Sequence, residues 1–200
     1  MLMCDNLLDP SHVAWVHESS FAQAATKDTP LKVTRTENGV IVHRWMMNVE
    51  PAPFYKKIVE FDGPCDRLQH YEVRYPSHAL IRAVFTPAGT GAPEGTLDEK
   101  TFVMDSYNFM TPVNDRETRY YWFQLRNVRP QDDDLSRMMA HDVRAAFSED
   151  KAVLEQVQIG MTEKTSPHID LSIDAGQLRF RRQLEAMIAE EQLVDQKMMA

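Results

Sequence analysis

The rhythm of apolar and polar positions changes twice along the chain. MLMCDNLLDPSHVAWVHESS predicts a short helix entered almost at once, with Asp9 and Pro10 as a cap and first-turn pair, because proline forfeits no hydrogen bond there. From Leu31 the period falls to two. LKVTRT and VIVHRWMM flank Asn38-Gly39, a strong short-range hairpin signal. LQHYEVRY (68–75), HALIRAVF (78–85), KTFVMDSYNFMT (100–111) and TRYYWFQLRNV (118–128) follow, the last two meeting around Asn114-Asp115. The Gly- and Pro-rich stretch from Thr86 to Leu97 predicts a loop at the sheet edge. Consecutive hairpin-linked strands make an antiparallel sheet. From Asp133 the period is helical, predicting one helix over roughly 135–158 and a second from Ala175 to about Gln196. Leu178, Leu184, Met187, Ile188 and Val194 supply most of the second helix's apolar stripe. The fold class is therefore α+β, expected as a single domain over 1–200 with no internal repeat and no interdomain linker.

Composition narrows the function classes. With 200 residues, 43% hydrophobic and 26% charged, the chain is long enough for one packed domain. Seven Gly and eleven Pro exclude a collagenous or low-complexity chain. The formal net charge of -8, with no basic run beyond Arg179, Arg181 and Arg182, argues against nucleic acid as a partner. No window approaches the ~18 apolar residues of a membrane span, so no membrane partner is expected. Two cysteines, Cys4 and Cys65, without an apolar leader point to a reducing cytoplasm.

Three residues carry candidate chemistry. His12 and His17 stand five apart, so on a continuous helix they point about 140° away from each other. They can share one metal only if the helix kinks or ends between them. Asp150 lies within a helical stripe of Val143, Ala146, Phe147, Val153, Leu154 and Val157, whereas Glu149 and Glu155 project to its flanks or the opposite face. A buried carboxylate needs a compensating group. A metal would serve, as would a buried arginine such as Arg82 or Arg119. Two His and one carboxylate form the facial triad of non-haem Fe(II) oxygenases, which leaves three octahedral positions open. Zinc is the competing chemistry, but the H-E-x-x-H spacing is absent.

The run D-N-L-L-D-P-S-H-V-A-W-V-H at 5–17, with S-E-D-K-A-V-L-E at 148–155 and S-I-D-A-G at 172–176 ahead of a basic helix, resembles the catalytic domain of Rieske non-haem iron aromatic-ring oxygenases. The nearest branch is the vanillate O-demethylase oxygenase-like group, which includes dicamba-type demethylases. The resemblance covers the whole chain, by motif at its ends and by strand pattern in the middle. It implies that His12, His17 and Asp150 bind a mononuclear Fe(II), that Asn6 lies beside the iron, and that the Asp9 carboxylate bridges a neighbouring subunit's Rieske-cluster histidine to His12. Asp9, three residues before His12, would share its face on one helical turn.

The resemblance also implies a helix-grip fold of the START and Bet v1 type, a curved antiparallel sheet gripping a long C-terminal helix. The substrate pocket would lie between sheet and helix. Met104, Tyr107, Phe109, Tyr121 and Phe123 have the spacing to line it, although alternating aromatics on a sheet are commonly core. Trp15 is expected to pack. The implied reaction is O2-dependent hydroxylation or oxidative O-demethylation of a small aromatic substrate. Electrons would come from NAD(P)H through a reductase and a Rieske donor, and a homotrimer is one assembly open to the chain. A [2Fe-2S] Rieske cluster needs C-x-H followed by C-x-x-H, but Asn6 stands two residues after Cys4 and Leu68 three after Cys65. The cluster is therefore expected in trans or in an N-terminal domain missing from this chain, which would be inactive unaided. The alternative is a non-catalytic helix-grip module that binds a hydrophobic or aromatic ligand.

Overall fold

The computed structural model describes residues 1–95, 97–163 and 169–199, with side chains from 195 onward excepted. Its centre is a six-stranded antiparallel meander in which β1 (Lys32–Arg35), β2 (Gly39–Val49), β3 (Cys65–Arg74), β4 (His78–Pro87), β5 (Phe102–Asn114) and β6 (Glu117–Arg126) pair in chain order. The Asn38-Gly39 signal corresponds to the β1–β2 hairpin, with Arg35 opposite Val40. Gly39 is required by close approach: a Cβ there would lie 2.0 Å from the Val73 carbonyl oxygen on β3. Register shifts between Met46 and Val49 and between Pro112 and Asn114 mark bulges, which bend strands and sharpen their twist. At the first bulge Asn48 takes φ 53, and its N–H donates to Asp66 Oδ1 at 2.8 Å.

Alternation along each strand sorts residues to two faces. Helices cover the inner face. The 31-residue α5 (Asp133–Glu163) lays Leu135, Met139 and Val143 against Phe85, Phe102 and Met104. Phe54 and Tyr55, from the short α4 (Pro53–Lys56) with its first-turn proline, complete that cluster. A second cluster joins Leu7, Leu8, Val40, Val42, Val73 and Phe180, the last from α6 (Ala175–Met199). There Gly176 lets α6 approach β2, since a Cβ would sit 2.4 Å from Val42 Cγ2. The curved antiparallel sheet with long helices against it matches the expected α+β helix-grip architecture.

Two helix expectations change. The first twenty residues form α1 (Leu2–Asn6) and α2 (Val13–Val16), not one helix, and Asp9 with Pro10 lies in the turn between them. A further short helix, α3 (Ala25–Asp28), precedes β1. The apolar stripe of α6 packs only as far as Leu184: Met187, Ile188 and Val194 are exposed. Among the described residues, no helix is long and apolar enough to cross a membrane.

Candidate metal centre

The segment from Asn6 to Phe21 is shaped by its own polar groups. Asp9 Oδ1 accepts the Ser11 backbone N–H at 2.9 Å and also the Ser11 hydroxyl, an Asx-type turn that ends the run from α1. His12 and His17 then flank the four-residue α2 as its N-cap and C-cap. Spacing of five becomes compatible with one centre because the helix starts after one ring and stops before the other. Two buried arginines on the inner face anchor this segment. Arg44 donates to the Pro10 and Thr29 carbonyls at 3.2 and 3.0 Å and to Gln69 Oε1 at 2.7 Å. Arg67 donates to the Phe21 carbonyl at 3.0 Å and Gln23 Oε1 at 2.9 Å, under the faces of Tyr55 and Phe85. Burial pushes the Arg44 guanidinium down to about 10, which still leaves it cationic at neutral pH.

Both imidazoles aim Nε2 at one atom. His17 Nε2 lies 3.1 Å and His12 Nε2 3.5 Å from Asp150 Oδ1. The ring centroids are 5.2 Å apart at an interplanar angle of 77°. One ligand atom from each of these three residues can be chosen so that all lie within 4.8 Å of one another. His17 and Asp150 are 5% and 6% exposed, and among the described residues no directed hydrogen-bond donor reaches the buried Asp150 Oδ1. Each ring's other nitrogen is engaged outward: His12 Nδ1–H donates to the Asp9 carbonyl, and His17 Nδ1–H donates to Glu149 Oε2 at 2.7 Å. Burial lowers the pKa of His12 despite Asp150 nearby. At His17 burial also disfavours the charged form, but Asp150 and Glu149 together outweigh it and raise the pKa. A buried oxygen lacking a directed donor, facing two Nε2 atoms whose rings are fixed from behind, is a donor set that fits a divalent transition metal.

The centre opens onto a cavity between α5 and the inner face. Asn6 lines it, as do Phe21, Tyr71, Ile81, Met104 and Phe147. One ladder row, in which Tyr71 faces Ile81, Ile81 faces Ser106 and Ser106 faces Gln124, supplies a wall.

Several sequence expectations are corrected by this geometry. Of the proposed lining set only Met104 faces the cavity. Tyr107, Phe109, Tyr121 and Phe123 are on the outer face, where Tyr107 and Phe109 stack on Phe123. Trp15 is 71% exposed beneath Lys27 Nζ instead of packed. Val153 and Val157 are exposed, so the buried stripe of α5 ends at Asp150. Arg82 pairs with Asp105 at 2.7 Å and Arg119 is exposed opposite Thr111; neither neutralises Asp150. The group bonded to His12 Nδ1 is the carbonyl of Asp9, while its carboxylate turns to Ser11. Glu149 falls at the edge of the apolar stripe, and an edge position adjoining the core-facing Asp150 is the sequence signal that points to it.

Comparison with known proteins agrees with the fold and the motif. The family described as the vanillate O-demethylase oxygenase C-terminal domain matches residues 1–190. A vanillate O-demethylase oxygenase subunit of Pseudomonas sp. (strain HR199 / DSM 7063) is 33% identical over 199 residues, covering 96% of this chain and 55% of that protein. A second such subunit, from Pseudomonas sp. (strain ATCC 19151), is 31% identical over 202 residues, covering 97% of this chain and 60% of that protein. The chain thus spans a little over half the length of these relatives. The crystal structure of dicamba monooxygenase bound to 3,6-dichlorosalicylic acid superposes with a TM-score of 0.83 at 20% identity, covering 95% of this chain and 56% of that one, which shows the shared fold. The chain belongs to the vanillate O-demethylase oxygenase C-terminal domain family.

Proposed function

We propose that this chain is the catalytic portion of a Rieske-type non-haem iron oxygenase, with His12, His17 and Asp150 as the ligands of a mononuclear ferrous ion. The observation that carries this reading is the convergence of two Nε2 atoms on the buried Asp150 Oδ1, which has no directed donor among the described residues, at the mouth of a mostly apolar cavity. A ferrous ion bound there supplies redox chemistry with O2. The chain's own groups do the rest. The Asp9 carbonyl and the Glu149 carboxylate hold the imidazoles with Nε2 inward, and Asn6 places an amide in the cavity beside them. Phe21, Tyr71, Met104 and Phe147 offer flat and adaptable apolar surface suited to an aromatic ring. Hydroxylation or O-demethylation of such a ring is the reaction class that the relatives' names support.

Asp9 is the electron entry point in this reading, since its backbone already touches His12. In this reading the electrons would come from a Rieske cluster held in trans or in an N-terminal domain outside this sequence, fed by a reductase and NAD(P)H. Two free, buried thiols fit a reducing cytoplasm.

Anaerobic reconstitution with ferrous iron tests the assignment. About one iron per chain is expected in the wild type and none in Asp150→Ala, read by chelator-based iron assay after desalting. A wild-type chain that retains no iron overturns it in favour of a metal-free ligand-binding module.

A further inference from the structure

Consecutive residues of α5 present carboxylates to opposite nitrogens of one imidazole. Asp150 Oδ1 lies 3.1 Å from His17 Nε2, and Glu149 Oε2 accepts from His17 Nδ1 at 2.7 Å. His12 has a different partner on its outward side, the neutral backbone carbonyl of Asp9. The two rings are therefore alike in placement and unlike in what stands behind them.

We propose that Glu149 is a positioning residue of the metal centre, which fixes His17 as the Nδ1–H tautomer and makes it a stronger donor than His12. The inference rests on the iron reading above. Its basis is the hydrogen bond itself: a carboxylate accepting Nδ1–H leaves the lone pair on Nε2, orients the ring plane, and pushes electron density toward the metal side. A carbonyl acceptor does the first two of these and less of the third, because charge-assisted hydrogen bonds are roughly twice as strong as neutral ones. Charge counting points the same way. A divalent ion with Asp150 as the one anionic ligand of the triad would leave a net positive charge in a mostly apolar pocket. Glu149 supplies the second negative charge and closes the balance within one hydrogen bond of the ligand shell. Its side chain is 44% exposed, so it compensates charge without being buried itself.

The test compares wild type, Glu149→Gln and Glu149→Ala as full chains, loaded anaerobically with Fe(II) and separately with Co(II), against a chromophoric competing chelator. Glu149→Gln keeps an acceptor and the side-chain volume, so its thermal unfolding by circular dichroism should match wild type. We expect both variants to bind each ion about 10- to 100-fold more weakly, alanine more than glutamine, the range typical for loss of a group hydrogen-bonded to a metal ligand. The visible d–d bands of the Co(II) form should shift in both, a change that loss of packing alone would not produce. Wild-type affinity together with an unshifted Co(II) spectrum in Glu149→Ala overturns the role of Glu149 while leaving the iron site standing. Absence of metal binding in the wild type overturns the iron reading and this inference with it.

Discussion

The inner face of the sheet carries two apolar clusters with a polar belt between them, and cluster and belt follow different rules. Along β5 the inward residues run Phe102 and Met104, then Ser106 and Asn108, then Met110. On β2 they run Val40 and Val42, then Arg44, then Met46. The first cluster is rich in aromatics and lies under α5; the second is mostly aliphatic and lies under α1 and α6. Both are held by burial, which is non-directional and tolerant of exchange between groups of similar volume. In the belt several groups have specified partners: Arg44 with Gln69, Asn108 with the Ser106 carbonyl and the Tyr120 hydroxyl, Arg67 with Gln23 and the Phe21 carbonyl. The candidate metal centre lies against this belt, where geometry is set by directed bonds that fail when either partner is lost.

Cutting into a cluster should cost stability and spare the centre. Phe180 is fully buried against Tyr75 in the second cluster, their rings stacked at 4.9 Å. Phe180→Ala should lower the unfolding free energy by about 3–5 kcal/mol in urea titrations, while iron stoichiometry at saturating Fe(II) stays at the wild-type value. A parallel loss of iron affinity would break the contrast between cluster and belt.

Cutting into the belt should have the opposite profile. Arg44→Met removes the donors to the Pro10 and Thr29 carbonyls and to Gln69 Oε1. The cost in stability should be about 1–3 kcal/mol, since buried acceptors lose partners while an expensive buried charge also disappears. Iron affinity, measured by chelator competition, should fall further than that loss accounts for, because the Pro10 carbonyl anchors the turn carrying His12.

The smallest effect belongs to the outer face. His43 and His70 stack at 6.4 Å, and burial lowers both pKa values from the ordinary 6.5, with Lys32 adding to the effect at His43 and Glu72 opposing it at His70. The unfolded chain therefore binds protons first as pH falls. Their contribution is intact above about pH 6.5 and is lost as pH drops through the lower folded values. His43→Gln and His70→Gln should each flatten the fall of the urea midpoint between about pH 7 and pH 5, with no change at pH 8.

Much of this architecture is legible in the chain. Period-two alternation located six strands, Asn38-Gly39 marked a hairpin, and the helical stripe singled out Asp150 as a core-facing carboxylate. Each of these is a local or single-element property. What failed was relational. Alternation shows that Met104 and Tyr107 lie on opposite faces but not which face meets α5, and so the pattern does not reveal that Tyr107, Phe109, Tyr121 and Phe123 face away from it. The stripe of α5 overran Asp150 because periodicity does not know where the sheet ends.

By itself, then, the sequence determined the meander, the helices and the residue types able to hold a metal, because hydrophobic period and turn chemistry act over a few neighbours. Only the structure decided that His12 and His17 cap the two ends of α2, that both Nε2 atoms meet at Asp150, and that Glu149 stands behind one of them. The last two facts depend on elements more than a hundred residues apart. Their relative placement comes from the packing of α5 on the sheet and from the arginines that anchor the histidine segment.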